Sequence, residues 1–346
     1  METIAKKTKT YQSALTEYQT ESAIASLKAQ FSLRLSEKLN LIKVEAPLLV
    51  AKGSGINDDL NGIEDPVTVK VKDLPSTQVE IVHSLAKWKR LKLARLKAKA
   101  GEGLYTDMKA LRPDEDLSDV HSVYVDQWDW EKVILESNRQ LSYLKKIVTD
   151  IYQTIVETEK YITASYPELK KFLPQEIAFI HSEELQQLYP GLTPKERENE
   201  ISKQKGAVFI IGIGAELADG KKHDGRAPDY DDWITETGTG KKGLNGDIVV
   251  WNPVLKRAFE ISSMGIRVSP ESLRKQLLLT GSVEREKLDW HTKLLKGELP
   301  YTIGGGIGQS RLAMLLLQKK HIAEVQSSIW PDELSGELKE LNIIIL

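Results

Sequence analysis

Between residues 12 and 39 apolar side chains recur at steps of three and four. Ile24, Leu27, Phe31, Leu35 and Leu39 make one stripe, which predicts a long amphipathic helix. Residues 41–50 are rich in Val, Ile and Leu and read as a strand, with Pro47 near its end. A proline has no N–H to give to a ladder, so Pro47 belongs at an edge or an interface. Residues 103–112 and 122–130 read as two more strands, and the charged turn Pro113-Asp-Glu-Asp116 between them predicts an antiparallel hairpin. A second amphipathic helix is expected over 139–165, striped by Leu144, Ile147, Val148, Ile151 and Ile155. Strands follow at 207–213, 247–251 and 259–268, the last two joined around Asn252-Pro-Val-Leu255, and helices at 270–279, 284–296 and 309–319. Strands arrive as hairpins and helices in blocks, without strict alternation. The pattern predicts an α+β fold, an antiparallel sheet flanked by helices, over a single domain spanning 1–346.

Composition narrows the chemistry. The 346 residues carry 48 Lys+Arg against 50 Asp+Glu, a net charge of −2, so no global field favours a nucleic-acid partner. There is no cysteine, which excludes disulfides, thiol nucleophiles, Cys-type metal sites and a Cys-dependent glutaminase step. The six histidines are scattered, with no His-x-x-x-His pair. The longest apolar runs fall far short of the roughly 18 residues of a membrane helix, and no apolar leader opens the chain. A cytoplasmic protein without a membrane partner is expected.

Four stretches carry candidate chemistry. Gly304-Gly-Gly-Ile-Gly-Gln-Ser-Arg311 runs into an apolar helical pattern. It reads either as a phosphate cradle at a helix start, with Arg311 adding a fixed cation, or as a flexible loop. Folding 247–260 about its turn brings Asp247 and Glu260 within about a residue of register on neighbouring strands. Like charges so placed call for a divalent ion such as Mg²⁺, unless the two side chains point to opposite faces. In Val123-Tyr-Val-Asp-Gln-Trp-Asp-Trp130, alternation puts Val125, Gln127 and Asp129 on one face. That face suits a pocket for an ammonium group, which Arg112 could share, or else a solvated edge strand. The basic run from Lys87 to Lys99 contains Leu85, Trp88 and Leu91 at steps of three, so a helix with a solvated basic face is expected in preference to a nucleic-acid patch.

Taken together these stretches, with His83-Ser-Leu-Ala-Lys-Trp-Lys-Arg90, Arg226-Ala-Pro-Asp-Tyr-Asp-Asp-Trp233 and Glu260-Ile-Ser-Ser-Met-Gly-Ile-Arg267, resemble ammonia-dependent asparagine synthetase. That family is related to the class II aspartyl- and asparaginyl-tRNA synthetases. The segment ending in Pro47 looks like the class II dimer motif, Arg112 like the arginine of the second motif, and residues 304–311 like the third, G-x-G-x-G-x-x-R. The second motif departs from the usual Arg-x-Glu, reading Arg112-Pro-Asp-Glu115. The resemblance implies a class II synthetase-like catalytic domain, a homodimer, and a ligase that makes L-asparagine from L-aspartate, ATP and ammonia through β-aspartyl-AMP. It implies Arg112 on the α-phosphate and Arg311 on the distal phosphates, with Gly306 and Gly308 beside them. Arg226, Asp231 and Glu260 complete the nucleotide site, and Asp247 and Glu260 hold Mg²⁺. Lys89 and Arg267 take the substrate's α-carboxylate. Ser84, Gln127, Asp129 and Asp58 surround its amino group, and Asp58 or Asp129 serves the ammonia. A tRNA synthetase is the nearest rival, but the residues ahead of Pro47, mostly one helix, leave no room for an anticodon-binding barrel. A non-catalytic amino-acid sensor is the other. For residues 332–346 the sequence suggests no function.

Overall fold

The computed structural model describes residues 11–57, 64–238 and 240–346. In chain order the elements are α1 (Glu17–Leu39), β1 (Leu41–Lys43), β2 (Leu49–Ala51), β3 (Thr68–Val69), β4 (Val79–Ile81), α2 (Ala86–Leu96), β5 (Gly103–Leu111) and β6 (Tyr124–Val133). Then come α3 (Leu141–Ser165), β7 (Ala178–His181), α4 (Ser182–Leu188), α5 (Pro194–Lys205), β8 (Ala207–Ile211), β9 (Asn245–Asn252) and β10 (Arg257–Ile266). The last are α6 (Pro270–Leu279), α7 (Asp289–Leu295), β11 (Thr302–Gly308), α8 (Gln309–Leu316) and α9 (Asp332–Glu340).

One sheet of eight strands, ordered β1-β5-β6-β11-β10-β9-β8-β7, carries the molecule. Its interior pairs are antiparallel, as the hairpin pattern predicts; only the outermost pairs, β1·β5 and β7·β8, are parallel. One face is covered by α1, α3 and α8. The predicted stripes of α1 and α3 are buried there along their length, against Trp128, Ile248, Phe259, Ile303 and Ile307. Thr16 caps α1 in a reciprocal box with Gln19, and Asn40 closes it in the left-handed conformation. The opposite face is concave over the central strands and flanked by α2, α4 to α7 and the loops.

Two segments are built differently from the sequence reading, beyond shifts of a few residues at other element ends. The strand expected over 41–50 is interrupted at 44–48, around Pro47, so that β1 joins the large sheet and β2 a small one, ordered β2-β4-β3. The helix expected over 284–296 is a 3-10 turn, Val283–Lys287, followed by α7.

Candidate active site

The concave face holds a cavity of about 780 Å³. Its floor is set by alternation along four strands. On β6, Val125, Gln127 and Asp129 face the cavity while Trp128 turns into the core against Phe31, ring centroids 4.4 Å apart. The pocket reading of that segment therefore holds over the solvated edge. On β11, Gly304, Gly306 and Gly308 stand opposite Glu131, Asp129 and Gln127. A Cβ on Gly304 would strike the Glu131 carboxylate, and one on Gly306 the Gln127 amide. The glycine motif is thus not a flexible loop, and it runs straight into α8. It is a strand stripped of side chains so that those of β6 can lie across it. The amide that opens α8, at Ser310, is already held by Asp126 Oδ1 at 3.0 Å.

Asp247 and Glu260 share a face for a reason that spacing alone does not reveal. Ser263 pairs with Asp247, and regular register would then send Glu260 to the far side. A bulge between Glu260 and Ser262 inserts one residue, Glu260 pairs with Val249, and its side chain returns to the cavity. The two carboxylates are thus farther out of register than expected, yet on one wall. Ser263 Oγ donates to Glu260 Oε1 at 3.0 Å. The Asp247 carboxyl is pushed up to about 6, first by burial and, against the pull of Arg226, by the charge of Glu260. Arg311, Lys195 and Arg226 hold Glu260 below the ordinary range, against desolvation. Two hard oxygen donors that repel each other on a cavity wall fit a magnesium ion.

Four guanidinium groups line the same cavity: Arg112, Arg226, Arg267 and Arg311. Arg226 reaches Asp247 at 2.5 Å and has Nε 3.6 Å from Asp231. Arg267 is held by Asp231 at 2.5 Å and by Glu131 at 3.0 Å. Asp231 therefore spans two arginines rather than belonging to one subsite. Arg311 Nη1 donates to the Glu260 carbonyl at 3.2 Å. Arg112 extends past the end of β5, and its buried Nε has no protein partner among the described residues. An unpaired buried guanidinium donor on a cavity wall suits an anion. Asp114, Glu115 and Asp116 also line the cavity, and burial raises the Glu115 carboxyl against the pull of Arg112 and Arg311.

Of the remaining candidates, Ser84 lies on the wall and Asp58 falls outside the described residues. Lys89 differs from expectation. It is fully buried behind the floor, with its ammonium on the Asp129 carboxylate and 3.3 Å from the Gly305 carbonyl. Burial pushes Lys89 down and Asp129 up. The basic run is solvated only in its second half: Arg95, Lys97 and Lys99 are exposed, whereas Lys87, Lys89 and Arg90 are buried. Arg90 donates to the Pro300 and Val268 carbonyls at 2.7 and 2.8 Å, while Trp88 stays half-buried under Lys92. Apolar spacing placed the helix; distant carboxylates and carbonyls chose the inward face. Glu131 and Ser263 were missed. Carrying the β6 alternation two residues further reaches Glu131, whereas Ser263 depends on the bulge and leaves no signal.

A family model described as aspartate–ammonia ligase matches residues 18–342. An aspartate–ammonia ligase of Parabacteroides distasonis is 54% identical over 336 residues, covering 97% of each chain. One of Bacteroides thetaiotaomicron is 54% identical over 340 residues, covering 98% of this chain and 99% of its own. Among solved structures, asparaginyl-tRNA synthetase from Pyrococcus horikoshii complexed with asparaginyl-adenylate superposes with a TM-score of 0.68 at 15% identity, over 90% of this chain and 70% of that one. Aspartyl-tRNA synthetase from Entamoeba histolytica gives 0.58 at 16%, over 90% and 57%. These two show the fold, a class II synthetase catalytic domain. With its length matched almost end to end, the chain belongs to the aspartate–ammonia ligase family.

Proposed function

We propose that the cavity joins ammonia to L-aspartate, giving L-asparagine, AMP and pyrophosphate from ATP through β-aspartyl-AMP. The observation that carries the residue assignment is the convergence of four arginines and the Asp247 and Glu260 carboxylates on one wall system. In-line attack of the β-carboxylate on the α-phosphorus needs cations around a crowded negative centre and no protein nucleophile. Arg112, with a donor to spare, takes the α-phosphate; Arg311 takes the distal phosphates; Arg226 completes the nucleotide site, with Gly306 and Gly308 admitting it close to the floor. Asp247 and Glu260 hold Mg²⁺, which neutralises phosphate charge when bound. Arg267, fixed by Asp231 and Glu131, receives the α-carboxylate of aspartate. Lys89 acts from behind through Asp129, keeping that carboxylate aimed at the amino group together with Gln127 and Ser84. In the second half, ammonia attacks the β-carbonyl, the C–O bond to AMP breaks, and Asp129 or Asp58 accepts the proton.

Two further points belong to this reading. A homodimer is supported by the exposed apolar side chains of Leu33, Ile42, Leu48 and Leu49 around the segment that carries Pro47. Cytoplasmic work without a nucleic-acid partner accords with the near-neutral charge, and no described helix is long and apolar enough to cross a membrane. The test is product analysis with aspartate and ATP. AMP, pyrophosphate and asparagine should appear only with ammonium. Release of ADP, an absolute need for glutamine, or acylation of tRNA above background would overturn the proposal.

A further inference from the structure

Behind the loop that carries Arg226 and Asp231 lies a second charge cluster that takes no part in the scheme above. Asp229 is completely buried, and its Oδ2 lies 3.2 Å from Lys87 Nζ, 3.0 Å from His291 Nε2 and 3.2 Å from Arg285 Nη1. A carboxylate only accepts, so Nε2 is the protonated nitrogen of His291. The partners come from α2, α7 and the 3-10 turn before it, 142, 62 and 56 residues away. Burial alone would raise the Asp229 carboxyl; Lys87, His291 and Arg285 outweigh it and hold it well below the usual range. Apolar side chains often replace a buried ionic cluster without loss of stability, so stability alone is a weak reason for this one.

Its connections suggest a better reason. Two residues past Lys87, the same helix sends Lys89 into the floor at Asp129. Two residues past Asp229, the same loop sends Asp231 to Arg267, and three residues before it stands Arg226 on Asp247. Trp290 Nε1 donates to the Lys87 carbonyl at 2.9 Å, and Gln276 Nε2 holds the Pro228 and Asp231 carbonyls at 2.7 and 3.0 Å. Helix and loop are each braced from outside, and the Lys87–Asp229 pair joins them to each other. We infer that Asp229 is a positioning residue that locks the amino-acid subsite to the nucleotide subsite. This rests on the functional reading above, because it names those two subsites as the things held in register.

Calorimetric titration of the full chain with L-aspartate and, separately, with a non-hydrolysable ATP analogue plus Mg²⁺ tests it. Asp229→Asn should weaken both ligands by about tenfold, because helix and loop are both released. Lys87→Met leaves the loop on His291 and Arg285, so it should weaken aspartate about tenfold and leave the analogue within twofold. A merely structural role would lower the melting temperature without that asymmetry. If Asp229→Asn does not fold, the Lys87→Met pattern decides alone. Folded variants that bind both ligands like the unaltered protein, or Lys87→Met weakening both equally, overturn the inference while leaving the functional reading intact. An unaltered protein that binds neither ligand overturns the functional reading itself.

Discussion

Gly306 shows how much a missing methyl group can decide. An alanine there meets the Gln127 amide on the facing strand, and overpacking of this kind costs about 1–3 kcal/mol. Gly306→Ala should therefore melt earlier and bind aspartate about tenfold more weakly in titration calorimetry; unchanged affinity would remove Gln127 from the substrate pocket. Arg112→Ala should lower turnover by about 10²-fold or more with the circular dichroism spectrum retained, as for loss of one preorganised donor to the transition state. His121, also on the cavity wall, is drawn down from 6.5 to about 4, first by burial and then by Arg311. Its folded value lies below its unfolded one, so the stability it contributes is complete above pH 6.5 and is lost as pH falls toward 4. Melting temperatures across that window should fall less steeply for His121→Asn than for the unaltered protein. At this scale the sequence was a good guide to which residues share the cavity and a poor guide to what they touch. Arg112, Arg226, Arg267 and Arg311 were recognisable by their motifs, but Lys89 ends on Asp129 because two side chains far apart in the chain meet in a dry floor.

The elements with a single apolar stripe were the legible ones. α1 and α3 bury the side chains their periodicity selects, since packing against a sheet rewards one face only. Phe31→Ala, which empties the space beneath Trp128, should cost about 3–5 kcal/mol in chemical denaturation and loosen the strand that bears Gln127 and Asp129. α2 packs Leu85, Trp88 and Leu91 inward as its spacing predicts, but Lys87, Lys89 and Arg90 turn inward too, because a helix pattern contains no information about carboxylates that arrive later in the chain. β7, α4 and α5 went unnoticed for a related reason. α5 is so polar that its capping box, Thr193 with Glu196 and a proline between them, is a stronger signal than any stripe.

For the whole molecule, the class of fold followed from hairpins and helical blocks. The parallel outer pairs of the sheet, made by residues remote in sequence, did not. One cavity proposed to take nucleotide, metal and amino acid together implies a shared response to ligand. A saturating Mg²⁺–ATP analogue, at about 100 times its Kd, should stabilise the native state by about 2.7 kcal/mol, read as a rise in melting temperature. That rise should shrink sharply when Asp247→Asn and Glu260→Gln are combined. The extra residue beside Glu260 works by counting rather than by chemistry. Place one residue opposite Ile261, between Ile248 and Val249, and no charged group is lost, yet every side chain upstream on β10 changes sides: Phe259 swings toward water and a glutamate is driven into oil. A one-residue insertion in the facing strand would there matter more than a substitution.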